Sequence, residues 1–182
     1  MPTGYALLYS SGPERILPAV FTSYLGSGAS GAMFRSADGR HVVKVFTDRQ
    51  TANNEANLLK LCLDDPQIRV PTFLGLYSNT RQFGVVMSYA GMAIPDIFCA
   101  PDEQQKQIIS ILKSLHRNGI HHHDVRAENL MVDHHGVIRI VDFDRAVKSG
   151  VYCSYCPDLE IIEALQECVD GHVQGFDTSP YT

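Results

Sequence analysis

The sequence feature that most restricts the fold of this chain is a polar segment at residues 121–132, which reads His-His-His-Asp-Val-Arg-Ala-Glu-Asn-Leu-Met-Val. It contains Asp124 and Asn129, and a further aspartate, Asp142, follows thirteen residues after Asn129. Apolar runs on either side of a His-His-Gly turn lie between Asn129 and Asp142, which predicts two short strands. The sequence therefore places two carboxylates and a carboxamide in or beside loops, next to a short hairpin.

Composition narrows the class of protein. The 182-residue chain is 45% hydrophobic, enough for one ordinary domain or one two-lobed unit. Its formal net charge of −5 offers no basic surface for nucleic acid, and no apolar run approaches the roughly 18 residues that a membrane helix needs. The start lacks a secretory signal pattern, and five scattered cysteines favour reduced thiols. We therefore expect a cytoplasmic protein that binds neither nucleic acid nor membrane; the nucleus is the other compartment that fits.

The first ninety residues predict an antiparallel sheet with one helix. A glycine-rich segment, residues 26–31, joins two predicted strands, and a third strand, residues 41–46, follows an Asp-Gly turn. From Asp48 the apolar spacing becomes helical, and two more strands are predicted at residues 72–77 and 83–89. A glycine motif between two strands argues against a dinucleotide-binding fold, which requires a strand followed by a helix.

The second half of the chain predicts helices around the polar segment. Residues 91–100 are expected to be a linker, and a helix is expected from Pro101, with acidic residues in its first turn, to Asn118. Residues 157–169 predict a last helix. The helical and strand segments thus flank the polar loops on both sides.

In this order the motifs resemble those of the protein kinase superfamily. His-His-Asp at residues 122–124 resembles the family's His-Arg-Asp, and Asn129 stands at the family's spacing from Asp124. Asp-Phe-Asp at residues 142–144 resembles Asp-Phe-Gly. Two positions depart from the pattern, because His123 replaces the usual Arg and the last Asp replaces the usual Gly.

The resemblance implies a single kinase-like domain over residues 1–182, with an α+β, two-lobed fold. Residues 1–90 would be an N-lobe with a five-stranded antiparallel sheet and one helix, and residues 91–182 a much reduced helical C-lobe. The chain ends before the helices that form the base of a full kinase C-lobe. We therefore expect a minimal or truncated, atypical kinase of the size of the RIO and KEOPS-associated types. Either its C-terminal tail fills the place of the missing helices, or a partner chain or a second copy (a homo-oligomer) covers exposed apolar surface.

The resemblance also implies phosphoryl transfer from ATP, which depends on alignment and charge neutralisation more than on covalent chemistry. Asp124 would be the catalytic base beside the acceptor hydroxyl, and Arg126 would stabilise charge on the transferred phosphate. Lys44 on the third strand, paired with Glu55 on the next helix, would hold the phosphates. The short separation of Lys44 and Glu55 requires a minimal loop between strand and helix.

ATP and Mg²⁺ are the cofactors that the resemblance implies. Asn129 and Asp142 would supply oxygen ligands for magnesium. The glycine hairpin would present backbone N–H groups to phosphate, and apolar and hinge residues would enclose the adenine. The nucleotide-binding positions are Gly26, Gly28, Gly31, Met33, Val42, Lys44, Met87, Ser88, Tyr89, Ala90 and Met131.

Each of these residues also has a plainer interpretation. Lys44 fits an edge strand with its amine in solvent, Asp142 fits a strand end, and the adenine residues fit an ordinary core.

The expected function is transfer of the γ-phosphate to a hydroxyl of a protein serine or threonine, or of a small molecule. The alternative is a pseudokinase, a nucleotide-binding or scaffolding module without transfer. The complete set of polar residues favours the enzyme, and the reduced C-lobe favours the scaffold.

A separate pattern lies in the C-terminal cysteines. Cys153, Cys156, Cys168 and His172 have the residue types and near spacing of a Cys₃His zinc site. Such an ion would stabilise a half of the chain that has a small core. The helix predicted at residues 157–169 would have to bring its end back to its start, so plain thiols are the alternative.

Overall fold

The β-branched and aromatic runs of the first ninety residues form one antiparallel sheet. A computed structural model describes residues 5–6, 20–28, 31–78, 81–149 and 155–174. The strands of this sheet are β1 (Tyr5–Ala6), β2 (Val20–Ser27), β3 (Ala32–Ser36), β4 (His41–Phe46), β5 (Phe73–Ser78) and β6 (Phe83–Ser88). Their spatial order is β1-β2-β3-β4-β6-β5, and every neighbouring pair is antiparallel. The predicted five-stranded sheet is confirmed, and β1 adds a two-residue strand at its edge.

Helix α1 (Arg49–Cys62) follows β4 directly and covers this sheet. It begins after Asp48, whose carboxylate accepts a hydrogen bond from the backbone N–H of Thr51 at 2.6 Å, as an N-cap residue does. The side chains at helical spacing are buried, as predicted: Ala52, Glu55, Ala56, Leu58, Leu59 and Cys62. The helix therefore turns one acidic side chain, Glu55, inward among apolar ones.

The described residues divide into two compact units. The first unit comprises those up to Asp64, Val70–Ala90 and Asp142–Asp144, and it contains the sheet and α1. The second unit comprises Asp65–Arg69, Gly91–Val141 and the described residues from Arg145 onward. The expected division into lobes at residue 90 stays a prediction.

The second unit combines two helices with short strands. Its elements are β7 (Met92–Ala93), α2 (Asp102–Arg117), β8 (Ile120–His121), a 3₁₀ turn (Ala127–Asn129), β9 (Leu130–Val132), β10 (Ile138–Ile140), β11 (Val147–Lys148) and α3 (Pro157–Gln174). Strands β10, β9 and β7 form one sheet, and β11 pairs with β8. Helices α2 and α3 pack on each other, with Ile108, Leu112 and Leu165 fully buried.

The expectation that residues 91–100 form a plain linker was wrong at its start. Met92 and Ala93 pair with Val132 and Met131 as strand β7. Gly91 permits this close approach, since it has a φ of 116° and a Cβ there would lie 2.1 Å from the carbonyl oxygen of Val132. A two-residue strand leaves no periodic signal, so sequence reasoning missed it.

The helix predicted to end at residue 169 continues to Gln174.

None of the helices in the described part of the chain has the length and hydrophobicity that a bilayer-spanning segment needs.

Candidate active site

A buried, ion-paired lysine lies inside the first unit. Lys44 on β4 is 4% exposed, and its Nζ lies 2.8 Å from Glu55 Oε2 and also contacts Asp142 Oδ1. Strand β4 lies between β3 and β6, so the interpretation of Lys44 as a solvated edge residue was wrong. Only residues 47 and 48 separate β4 from α1, which is the minimal loop that the sequence required. The carboxylates of Glu55 and Asp142, from separate segments, thus balance the charge of the buried lysine, because a buried charge needs a partner.

The ion pairs keep this lysine charged. Burial opposes the ammonium form, but the carboxylates of Glu55 and Asp142 outweigh burial and raise the pKa of Lys44 above its ordinary value. A raised pKa means that the stabilising charge is complete below the ordinary lysine pKa and is lost only as pH rises through the raised value. The first unit therefore offers a permanent cation at neutral pH.

The polar segment forms a loop in which an amide orients a carboxylate. The side-chain Nδ2 of Asn129 donates to the backbone oxygen of Asp124 at 2.8 Å and to its Oδ2 at 3.0 Å. Asn129 is 4% exposed, whereas the guanidinium of Arg126 is more than half exposed and lies 3.4 Å from Asp124 Oδ2. Arg145 lies 3.9 Å from Asp124 Oδ1. Asn129 thus fixes the Asp124 carboxylate, and the long side chains of Arg126 and Arg145 lie beside it.

A buried aspartate on α3 holds the start of this loop. Asp158 is fully buried and accepts hydrogen bonds from the backbone N–H groups of His122 and His123, at 2.6 and 2.8 Å. His123 has a φ of 60°, a conformation that a non-glycine residue keeps only when its surroundings fix it. His122 is fully buried, and its Nε2 lies 3.1 Å from the carbonyl oxygen of Val141. Asp158 and His122 together fasten the backbone that carries Asp124.

We expect Asp158→Asn to lower the free energy of unfolding by about 1.5–3 kcal/mol at neutral pH, because an amide replaces a charged acceptor of two N–H groups. Burial opposes ionisation of Asp158, but the His116 side chain and the two backbone N–H groups outweigh it and lower its pKa below the ordinary 3.8. The stabilisation is therefore present above the ordinary value and is lost as pH falls through the lowered one.

Urea unfolding of both proteins between about pH 3 and pH 7 checks this expectation. The difference in stability should stay constant down to about pH 4 and shrink below it. Asp170→Asn, on an exposed part of α3, is the matched control and should leave stability unchanged. A pH-independent difference for Asp158→Asn would contradict the assigned ionisation.

The structure places the predicted nucleotide residues as follows. Gly28 N–H donates to the carbonyl oxygen of Gly31 at 2.9 Å, and a Cβ on Gly31 would lie 2.3 Å from the carbonyl oxygen of Val45, so this hairpin position requires glycine. The backbone N–H groups of Ser88 and Tyr89 donate to Thr72 and Arg40. All but one of the predicted nucleotide residues belong to the first unit, and the exception is Met131 on β9, which belongs to the second. The residues in the first unit are Gly26, Gly28, Gly31, Met33, Val42, Lys44, Met87, Ser88, Tyr89 and Ala90.

The aspartate that replaces the usual glycine lies close to the predicted metal ligand. Carboxylate oxygens of Asp142 and Asp144 are within 4.8 Å of each other. Asp142 has a φ of 70°, so the backbone is held in an uncommon conformation at the predicted ligand itself. Within the second unit, the backbone carbonyl oxygen of Asn129 accepts a hydrogen bond from the N–H of Val141 at 2.9 Å.

The predicted Cys₃His zinc site is not supported. Cys156 precedes α3 and Cys168 lies within it, so twelve residues of helix separate them by about 18 Å. Two ligands of one zinc ion lie only about 3.5 Å apart, so these cysteines do not share an ion. Cys153 and the side chain of His172 lie outside the described residues.

Sequence reasoning missed two residues near the candidate site. It placed Asp158 within the predicted last helix, and it gave Arg145 no role. A proline followed by an acid predicts only a helix start. The signal that identifies Asp158 is the complete burial of its side chain. This burial is known only once the packing of α3 on the rest of the second unit is known.

The fold is that of kinase-like proteins as a class. Comparison with known sequences places the chain in a family: residues 20–156 match the protein kinase domain, and the chain belongs to that family.

Two curated relatives show how far the similarity reaches. The chain is 29% identical over 166 residues to serine/threonine-protein kinase oca2 of Schizosaccharomyces pombe, covering 79% of this chain and 24% of that protein. It is 25% identical over 147 residues to the probable serine/threonine-protein kinase MRK1 homolog of Encephalitozoon cuniculi, covering 71% of this chain and 46% of that protein. The chain therefore spans less than half the length of these relatives.

Proposed function

We propose that this chain is an ATP- and Mg²⁺-dependent phosphotransferase that moves the γ-phosphate to a hydroxyl group. The observation that carries the proposal is the buried Lys44, held by Glu55 and Asp142 within the first unit. A buried ion pair is weak evidence for a purely stabilising role, since apolar residues of similar volume usually serve stability as well or better. A fixed cation on β4, next to the strand that follows the glycine-rich segment, has a direct use in binding polyphosphate.

Most of the residues assigned to the nucleotide belong to the first unit. Lys44 neutralises phosphate charge, and the hairpin of Gly26, Gly28 and Gly31 supplies backbone N–H groups. Since the N–H groups of Ser88 and Tyr89 already have acceptors, adenine is read by other backbone groups of residues 88–90. The remaining apolar contacts are assigned to Met33, Val42, Met87 and Met131.

The polar loop of the second unit serves the acceptor. Asp124 accepts the proton of the attacking hydroxyl, and its orientation by Asn129 supports this role. Arg126 is exposed enough to reach the transferred phosphate and to stabilise its developing charge. Its contact with Asp124 keeps the guanidinium beside the carboxylate before substrate arrives.

Asn129 and Asp142 have the donor atoms that magnesium prefers. Because Nδ2 of Asn129 donates to Asp124, its Oδ1 is the end that remains for a cation. Asp142 presents a carboxylate that is about one quarter exposed, and Asp144 adds a second one nearby. The bound ion would neutralise charge between the phosphates, while these side chains fix its position.

The class of acceptor is inferred from the proposed base and from the names of the two relatives. The two relatives are named serine/threonine kinases, which supports a protein serine or threonine hydroxyl, and a small-molecule hydroxyl fits the same base. An intracellular location and a partner chain or second copy on the second unit are part of the same proposal. The rival is a pseudokinase that uses the same fold as a scaffold.

Nucleotide binding is tested by thermal unfolding with and without ATP and Mg²⁺. At a ligand concentration of about 100 times Kd, binding adds about 2.7 kcal/mol, which raises Tm by roughly 5–10 °C for a domain of this size. EDTA should reduce the increase, and Lys44→Met should abolish it. Lys106→Met, an exposed lysine on α2, should keep the full increase. An unchanged Tm for the unaltered chain at millimolar ATP would exclude the proposed nucleotide site.

A further inference from the structure

Two imidazoles and a thiol, none of them assigned a part in transfer, meet in the second unit. His116 lies in the last turn of α2, His121 ends β8, and Cys156 directly precedes α3. One potential ligand atom from each lies within 4.8 Å of the other two. His121 is 5% and Cys156 3% exposed. Three metal-ligating side chains from separate elements therefore share one buried position.

The spacing of these atoms fits a tetrahedral metal site. Cys156 Sγ lies 3.6 Å from His116 Nε2. With Zn–S near 2.3 Å and Zn–N near 2.0–2.1 Å, sulfur and nitrogen ligands of a tetrahedral zinc are about 3.5 Å apart. A thiol–imidazole hydrogen bond gives a similar distance, so the choice depends on the third side chain.

His121 provides an independent observation. Although its side chain is almost fully buried, its Nδ1 has no hydrogen-bond partner among the residues that the structure describes. A buried polar atom without a partner costs free energy and needs an explanation such as a bound ion. Ligation of a metal by this nitrogen supplies one.

A carboxylate and a cavity lie beside this cluster. Asp158 Oδ2 lies 3.1 Å from His116 Nε2, so a carboxylate lies beside the site and, with the Cys156 thiolate, balances a divalent cation. When Nε2 binds zinc it no longer donates to Asp158, which keeps the two backbone N–H groups of His122 and His123. A cavity of about 840 Å³ is lined by both imidazoles together with Lys113, Arg117 and Lys148. This cavity gives solvent a route to a fourth coordination position.

We propose that His116, His121 and Cys156 bind one zinc ion, with a water molecule from the cavity as the fourth ligand. Imidazole and thiolate together select zinc over magnesium or calcium, which prefer oxygen ligands. This set shares only Cys156 with the cysteine-rich pattern seen in the sequence. The ion would join α2, β8 and the start of α3 beside Asp158, and so stiffen the backbone at residues 122–123.

The test uses the whole chain, purified without chelator, and needs no activity measurement. Elemental analysis should find one zinc per chain, and removal of zinc should lower Tm, with recovery on adding zinc back. Replacement by Co²⁺ should give a near-ultraviolet thiolate-to-cobalt band and visible bands of a tetrahedral site. Cys156→Ser should remove the thiolate band and weaken zinc binding by more than the roughly 10–100-fold that loss of an outer-shell partner costs.

Cys168→Ser is the matched control, because Cys168 lies on the same helix outside the cluster, and it should keep the band and the affinity. His121→Asn should weaken zinc binding while Cys156 still gives a thiolate band at high cobalt. Three results would overturn the proposal: wild-type protein with no stoichiometric zinc and no cobalt–thiolate band, a band that survives Cys156→Ser, or a band lost in Cys168→Ser. A variant that fails to fold leaves the wild-type measurements decisive.

Discussion

Lys44→Met is expected to lower the free energy of unfolding by about 3–5 kcal/mol, because it leaves Glu55 as an uncompensated buried carboxylate. Glu55 is 2% exposed and has no route to solvent that would replace its partner, whereas Asp142 is about one quarter exposed. Chemical denaturation of the two proteins in the absence of nucleotide measures the difference. The same substitution should abolish the ATP-dependent rise in Tm, since the phosphates lose their cation.

A double variant separates the two effects. Lys44→Met with Glu55→Leu removes both charges, and replacement of a buried pair by apolar residues is often neutral. We expect it to regain most of the lost stability and to remain unable to bind ATP. Lys106→Met, which removes an exposed lysine on α2, should change neither property. A loss below about 1 kcal/mol for Lys44→Met would show that the ion pair is not a buried, matched charge.

Asp124→Asn is expected to lower phosphoryl transfer by about 10²–10⁴-fold and to leave nucleotide binding intact, because only the proton acceptor is removed. Asn129 donates to the Asp124 carboxylate but also to its backbone oxygen, so the loop keeps one of its two bonds in the variant. Single-turnover transfer with labelled ATP, beside the ATP-dependent Tm, measures both quantities on one preparation.

The control for Asp124→Asn is Asp170→Asn, which removes an exposed carboxylate from the same unit. It should transfer phosphate at the wild-type rate. Undiminished transfer by Asp124→Asn would show that another group accepts the proton. Loss of nucleotide binding together with transfer would indicate instead that the loop had collapsed.

The sequence predicted the first unit well because its signals are local. Helical spacing identified the inward face of α1, and the β-branched run around Lys44 identified β4. The pairing of Lys44 with Glu55, in contrast, was implied by the resemblance to the kinase family. Asp48 as an N-cap likewise depends on residues three positions apart. The helix, the strand and the cap each depend only on residues that are close along the chain.

The second unit was harder to predict because its key contacts are distant in sequence. Asp158 accepts from residues 35 and 36 positions earlier, and no spacing rule connects a helix start to a loop that far away. The cluster of His116, His121 and Cys156 also forms only once α2, β8 and α3 are packed. Strands β7, β8 and β11, of two residues each, are too short to leave a periodic pattern.

The enzyme and the scaffold make different use of the same residues. A scaffold requires the core of the sheet and the anchor Asp158, but it has no physical need for the Asp124–Asn129 pair or for the exposed Arg126. The arrangement of that pair favours transfer. Binding of ATP without transfer would fit the scaffold.

Transfer of radiolabelled γ-phosphate from ATP tests the central claim most directly. The chain is incubated with labelled ATP, Mg²⁺ and a mixture of serine- and threonine-containing peptides, and the label in protein and peptides is measured. We predict incorporation that depends on Mg²⁺ and falls by at least about 100-fold in Asp124→Asn. Incorporation that is absent, or equal in the two proteins, would contradict the assignment of this site to phosphoryl transfer.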